Sequence, residues 1–398
     1  MTALAKNPGG SDAATRAVAS AVTRLRLTRF RNYATAALDP TAKPIVLTGP
    51  NGAGKTNLLE AVSLLAPGRG LRGAQVAEPD QRLTAEAEGG SPGPWAVAAT
   101  VEGPVGPVEI GTGRDPEGER RLVRIDGQPA KSQQALGAHV AVVWLTPQMD
   151  RLFLDGAGAR RRFLDRLIYG FDPAHAGRIN GYEQALRQRA RLLKEGTGDA
   201  QWLAALEAQM VERGIAIAAA RADMAARLDR ACRQADGPFP AARLGLAGEL
   251  DDWLGRQSAL AAEERFADAL AASRGRDAES GGAAVGPHRS DLSVRHAPKD
   301  LPADQCSTGE QKALLIAIVL AHARLAAAEK GIAPILLLDE VAAHLDEVRR
   351  AALFDRLVDL GSQAWITGTE RAPFAGLDGR AEFYRVEAAT IAPEPAGG

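Results

Sequence analysis

Alternation of apolar and polar residues begins at Thr23, where Leu25, Leu27 and Phe30 share one face and Arg24, Arg26 and Arg29 interleave with them. A period of two predicts a strand with one face in water. A second short strand is expected over 34–38, and the apolar run Ile45-Val46-Leu47 leads through Thr48 to a glycine. Residues 58–65 then take helical spacing. Segments 95–102, 105–110 and 120–125 have strand character, the last running into an Asp126-Gly127 turn, and 140–145 is apolar enough for a buried strand. Beyond Gly156 the period becomes that of helices, over 156–169, 179–194 and 201–235, with glycine-containing breaks between them. The last two are expected to fold as an antiparallel hairpin. Residues 241–282 are mixed. From Asp291 strand and helix alternate again: a strand, a helix at 308–329, a strand at 335–338, a helix at 346–360 and a strand at 363–367. The pattern predicts an α/β head built from 21–150 and 285–398, with a mainly helical lobe inserted at 151–284. Residues 1–20, rich in Ala with Gly and Ser, are expected to be a disordered tail.

Composition narrows the class. The 398 residues are 45% hydrophobic and 24% charged, ordinary for a globular protein, and suffice for two domains or one with an inserted lobe. No apolar run approaches bilayer-spanning length, and 1–20 lacks the hydrophobic core of a signal peptide, so a cytoplasmic protein without membrane contact is expected. Cys232 and Cys306 stand far apart in unrelated contexts, which argues against a disulfide framework or a metal cluster. The net charge of −1 gives no reason to expect a nucleic-acid partner, so such a role needs a local patch.

Chemistry concentrates in three places. Gly49-Pro50-Asn51-Gly52-Ala53-Gly54-Lys55-Thr56 fits GxxxxGK[ST] in full, after an apolar strand and before a helix. Glycines let the backbone wrap a phosphate, and the helix start adds its positive end. Lys55 would neutralise the β- and γ-phosphates of ATP, and the Thr56 hydroxyl would coordinate Mg²⁺. Ile335-Leu336-Leu337-Leu338 precedes Asp339-Glu340, placing two acids at the tip of a buried parallel strand. There Asp339 would hold Mg²⁺ through water and Glu340 would polarise the attacking water. Third, Cys306-Ser307-Thr308-Gly309-Glu310-Gln311 opens a long apolar helix. Ser307 and Glu310 suit a capping box, the plain structural role. The stretch also resembles the ABC signature, in which a serine hydroxyl and a glycine amide face the γ-phosphate, the parts taken here by Ser307 and Gly309.

That resemblance implies an ABC/SMC-type P-loop ATPase head with a mixed sheet. In such heads the signature serves the nucleotide of a second subunit, so ATP holds a two-fold dimer together and hydrolysis releases it. Ala343-His344-Leu345-Asp346 stands where these proteins carry a loop that crosses the dimer interface. Gln148, after the 140–145 strand, stands where they carry a glutamine that senses Mg²⁺ and the γ-phosphate. No switch histidine is visible, and Thr367 or Thr369 is the candidate for that work.

Over most of its length the chain resembles the RecF family. The blocks that carry the likeness are 25–33, 47–61 and Gly68-Arg69-Gly70-Leu71-Arg72, then Arg160-Arg161-Arg162-Phe163-Leu164-Asp165, 185–189 and Val285-Gly286-Pro287-His288-Arg289-Ser290-Asp291. Thr308, Glu310, Gln148 and Ala343 depart from the usual pattern and bear on the hydrolysis rate. The resemblance implies an ATP-dependent homodimer with slow, DNA-stimulated turnover. It also implies binding at single-strand/double-strand DNA junctions, and work with RecR and RecO to help RecA replace single-strand-binding protein. Between 156 and 194 nine Lys/Arg face three acids, and Arg187, Arg189 and Arg191 are the expected DNA contacts; Arg24, Arg26, Arg29 and Arg31 form a second candidate. Other readings fare less well. About 250 residues separate Thr56 from Ser307, far more than transporter subunits place there, and SMC heads put a long coiled coil in an interval that here lacks heptads. A scaffold that clamps on ATP without hydrolysing it is separable only by experiment.

Overall fold

The computed structural model describes residues 18–80, 93–103, 106–118, 120–196, 199–234 and 237–395. The chain enters as β1 (Val18–Ala19) and β2 (Ala21–Phe30), returns as β3 (Tyr33–Leu38), and runs inward as β4 (Ile45–Thr48), which feeds the glycine loop and α1 (Lys55–Ser63). β5 (Ala96–Gly103), β6 (Gly106–Arg114), β7 (Arg121–Ile125) and β8 (Gln128–Pro129) extend β2 and β3 into an antiparallel sheet ordered β3-β2-β5-β6-β7-β8. Its register sets Leu25 opposite Ala99 and Leu27 opposite Val97, so one face is buried while Arg24, Thr28, Ala96 and Ala98 meet solvent. That is the alternation the sequence displays.

β9 (Val142–Leu145) precedes three helices, α2 (Ala157–Tyr169), α3 (His175–Glu195) and α4 (Ala200–Arg233). α3 and α4 pack as the expected hairpin. Gly196 ends α3 at φ 64°, and the Asp199 side chain caps α4 by accepting the Gln201 N–H. Next come β10 (Ala242–Ala247), α5 (Glu249–Arg256), α6 (Ala259–Ala272), α7 (Arg274–Ser280), β11 (Asp291–His296) and β12 (Leu301–Pro302). The chain closes with α8 (Thr308–Lys330), β13 (Ile332–Ala333), β14 (Ile335–Leu338), α9 (Glu347–Asp359), β15 (Ala364–Thr367), β16 (Glu382–Glu387) and β17 (Thr390–Pro393).

The second sheet, ordered β17-β16-β4-β15-β14-β9, positions the chemistry. All its pairs are parallel except β16 with β17. Both of its faces are covered, so β4, β9, β14 and β15 are buried at every residue. Val46, Val143, Leu336 and Ile366 face one apolar cluster with Leu314, Leu315 and Ile318 of α8. Ile45, Leu47, Leu337 and Trp365 face another with Leu58, Leu59 and Val62 of α1. The helix after the phosphate loop and the helix after the signature therefore lie on opposite faces of one sheet.

Four expectations change. Residues 1–17 lie outside the described residues, but 18–20 are not tail: Val18 and Ala19 pair in parallel with Ile332 and Ala333, and the Ser20 N–H donates to the Ala333 carbonyl at 3.4 Å. The lobe does not begin cleanly at 151, because Phe163 and Leu164 of α2 and Met224 and Leu228 of α4 share a core with α8 and β14. Nor does it end cleanly at 284. β10, from the mixed stretch, pairs along its whole length with β11, from Ala242 opposite His296 to Ala247 opposite Asp291. Finally, α8 is long and apolar enough by composition to cross a bilayer, contrary to expectation, and it is the single such helix among the described residues. Most of it is buried in the head, with 313–321 continuously apolar because neighbours cover it all round.

Candidate nucleotide site

The tips of three adjacent parallel strands converge where open α/β sheets bind ligands. β4 ends in the glycine loop, β14 ends at Asp339, and β15 lies between them and ends at Thr367. The loop needs its glycines for definite reasons. Gly49 sits at φ 140°, and a Cβ there would fall 2.1 Å from the Val386 carbonyl oxygen. Gly54, at φ 118°, would drive a Cβ to 2.6 Å from both the Asn32 amide and the Tyr33 hydroxyl. Asn32 in turn donates to the Ala53 carbonyl at 3.0 Å, so the β2–β3 turn buttresses the loop.

Lys55 is buried at the start of α1, and its ammonium donates to the carbonyls of Gly49 at 2.6 Å and Pro50 at 2.8 Å. Burial draws its pKa below the ordinary lysine value, while Glu340 and Asp339 oppose that pull. The Thr56 hydroxyl lies 3.0 and 3.1 Å from the two Asp339 carboxylate oxygens. Two hard oxygen donors meeting at one point, from separate elements, form a donor set that fits Mg²⁺. Thr367 completes the group: its hydroxyl donates to Asp339 Oδ1 at 2.8 Å and accepts the Glu340 N–H at 2.9 Å. Of Thr367 and Thr369, Thr367 is buried in this network, whereas Thr369 is exposed and its carbonyl accepts the Gly49 N–H. Glu340 itself adopts the left-handed conformation, φ 54° and ψ 21°. A non-glycine residue held there costs about 1–2 kcal/mol, a strain that clusters at functional sites.

Gln148 is exposed in the turn after β9, three residues beyond Leu145, which pairs with Leu338 just before Asp339. Among the described residues it makes no hydrogen bond to Lys55, Thr56 or Asp339. Ser307 and Gly309 stand elsewhere. Ser307 caps α8, and with Glu310 forms the full capping box. A contact from Lys299, with the Ser307 N–H, holds the Glu310 carboxyl down to about 2. Ser307, Thr308 and Gly309 are exposed, and no heavy atom lies within 4 Å of where a Gly309 Cβ would be. The Lys312 ammonium reaches Asp150 at 3.4 Å, fixing the first turns of α8 beside the turn after β9. Ser307 thus stands at the exposed start of α8, on the sheet face opposite α1. Among the described residues no hydrogen bond or ion pair joins it to residues 49–56.

A buried carboxylate supports α1 from the apolar side. Glu60 is fully buried on that helix, and Arg31 and Arg72 both bind its carboxylate, Arg72 also reaching Asn57. The signal was available: a carboxylate inside an apolar helical stripe must find cations. The expected DNA contacts separate as well. Arg187 and Arg191 are exposed and, among the described residues, pair only with Glu183 and Glu195 one turn away. Arg189 is not a DNA contact. It lies on the buried stripe with Tyr182, Ala185 and Leu192, fully enclosed, bound to Glu207 at 2.8 Å and Asp277 at 2.9 Å.

A phosphate loop and an acid-tipped strand on one parallel sheet, with a capped signature helix on its far side, define an ABC/SMC-type P-loop head. The family model described as RecF/RecN/SMC N terminal domain matches residues 21–391. A DNA replication and repair protein RecF from Mesorhizobium japonicum is 52% identical over 379 residues, covering 94% of this chain and 97% of the relative. One from Rhizobium rhizogenes is 52% identical over 370 residues, covering 92% and 96%. The chain belongs to the RecF family. Among solved structures, one of the recombination mediator protein RecF with ATPrS in the RecFOR pathway matches at TM-score 0.83 and 21% identity, over 96% of this chain and 100% of that one. A Pyrococcus furiosus Smc head domain shares the fold at TM-score 0.53 and 18% identity, over 94% and 96%.

Proposed function

We propose that the chain is a RecF-type ATPase that closes as a homodimer on ATP, each nucleotide lying between residues 49–56 of one copy and Ser307 and Gly309 of the other. The observation that carries this is the opposite-face arrangement of α1 and α8. α8 has 23 residues and so runs about 34 Å, while the four-residue β14 spans about 13 Å. Its exposed first turn overshoots the sheet on the side away from its own loop, where a second copy related by a two-fold axis can meet it.

Within each site the loop amides and Lys55 hold the β- and γ-phosphates. Thr56 and Asp339 would hold Mg²⁺, with Gln148 as the further candidate ligand, and the ion would supply positive charge against the transferred phosphoryl group. Glu340 polarises the attacking water, and Thr367 fixes its backbone. Turnover is slow and stimulated by DNA, and hydrolysis reopens the dimer. The relatives' description as DNA replication and repair proteins, and the RecFOR pathway named for the solved structures, support binding at single-strand/double-strand junctions with RecR and RecO, in aid of RecA loading. Arg187 and Arg191 remain the lobe's candidate phosphate contacts, since exposed i,i+4 pairs hold their arginines weakly.

Glu340→Gln tests hydrolysis against the simple clamp. The variant should bind ATP·Mg²⁺, stay dimeric and release no phosphate. Wild-type phosphate release by Glu340→Gln would overturn the assignment.

A further inference from the structure

A cavity of about 670 Å³ opens between the head and the helical lobe, and no residue of the phosphate loop lines it. Arg69, from the stretch after α1, faces it from the head, while Arg161, Arg162 and Arg166 face it from α2. None of the four has a carboxylate partner among the described residues. Their neighbours do: Arg160 is bound to Asp291 and Arg221 to Asp165, each at 2.7 Å. Of the acids on the cavity wall, buried Asp165 is engaged by Arg221 and His175, and exposed Glu183 has its ion pair with Arg187 on its own helix rather than with any of the four arginines.

Arg166 shows the imbalance most clearly. Its guanidinium lies 4.2 Å over the Trp144 ring, and among the described residues its one hydrogen-bond partner is the Met149 sulfur at 3.7 Å and its buried Nε has no acceptor. Burial pulls its pKa down to about 10. Arg161 is likewise lowered by burial and then by Arg221, and among the described residues it donates only to the Ser290 carbonyl, at 2.6 Å. Desolvated cations without a counter-charge are costly, and guanidinium groups are the donors best matched to phosphate. The amides of Gln134 and Asn180 line the same space, offering paired donors and acceptors of the kind that meet base edges. The volume lies within the range of small-molecule sites.

We propose that this cavity is a second nucleotide site, in which the four arginines hold a phosphate and the amides meet the base. The nucleotide is either a free mononucleotide or the phosphorylated end of a DNA strand. The site stands whether or not two copies close on ATP, and only the strand-end source draws on the DNA-binding reading.

Full-length Lys55→Ala, with its phosphate loop disabled, isolates the cavity. It is titrated with dAMP by calorimetry, and by anisotropy with oligodeoxynucleotides ending in a phosphate or a hydroxyl. Saturable dAMP binding at one per chain assigns the free nucleotide. A preference of about tenfold or more for the phosphorylated end assigns the strand terminus. Arg69→Gln and Arg162→Gln, both on the exposed rim, should each weaken that binding about tenfold, with melting temperature unchanged. On the chain that keeps Lys55 they should leave ATP affinity intact, which separates failure of this site from failure of the phosphate loop. Absence of both binding modes, indifference to both variants, or equal competition by succinate overturns the proposal.

Discussion

Thr367→Val isolates one hydroxyl at the centre of the site while nearly preserving volume. That hydroxyl donates to Asp339 Oδ1 at 2.8 Å and accepts the Glu340 N–H at 2.9 Å, and the residue is 1% exposed, so water cannot replace it. Valine removes a hydrogen bond to a carboxylate and takes the acceptor from the half-buried Glu340 N–H. A bond of that kind is worth about 1.5–3 kcal/mol, or about 10- to 150-fold in a rate or equilibrium that depends on it. The loss should fall mainly on turnover. Glu340 is held at φ 54° partly by this contact and should relax once it is gone, whereas residues 49–56 keep every contact they make. Phosphate release by Thr367→Val at saturating ATP should fall at least about tenfold, with ATP affinity changed by less than about threefold. Turnover within twofold of wild type, in a folded variant, would refute the claim that Thr367 sets the Glu340 backbone.

Gly49→Ala should abolish ATP binding and lower the melting temperature, since its Cβ would meet the Val386 carbonyl at 2.1 Å; wild-type nucleotide affinity would contradict the loop geometry. Arg189→Ala should destabilise the chain by about 3–5 kcal/mol in denaturant titration, because Glu207 and Asp277 lose a buried counter-charge. Arg187→Gln with Arg191→Gln should instead leave stability unchanged and make the log–log salt dependence of DNA affinity shallower by about 2; an unaltered slope would remove these residues from DNA contact. His288 and His322 are held down to about 4, chiefly by burial, from the usual 6.5. The unfolded chain therefore binds more protons between about pH 6.5 and 4, so stability should fall as pH drops through that window and rise again on return. His322→Gln should flatten the fall, and an unchanged profile would show that His322 does not contribute.

Much of this was legible in the sequence, and the exceptions have definite causes. The phosphate loop and the acid-tipped strand announce themselves because strand, glycines and acids are contiguous. α3 and α4 are evident from helical period, but the place of Arg189 is not, because three arginines at alternate positions look like one charged face. In a helix, positions 187 and 191 share a side while 189 turns away, and the buried stripe of Tyr182, Ala185 and Leu192 had already marked where. β10 was hidden because its partner β11 is supplied from beyond three helices, and a pairing that distant leaves no local trace. The Thr367 bridge and the Arg31–Glu60–Arg72 support join residues from separated segments, so only the folded sheet brings them together. The opposite placement of α1 and α8 is likewise a property of sheet faces.

Mass measured by light scattering or sedimentation with and without ATP·Mg²⁺, on wild type and Ser307→Arg, tests the shared site most directly. ATP should double the mass of the wild type and leave the variant, which still binds nucleotide through its own loop, at the mass of one chain. A variant that doubles like wild type, or a wild type that hydrolyses ATP as a single copy, would contradict it.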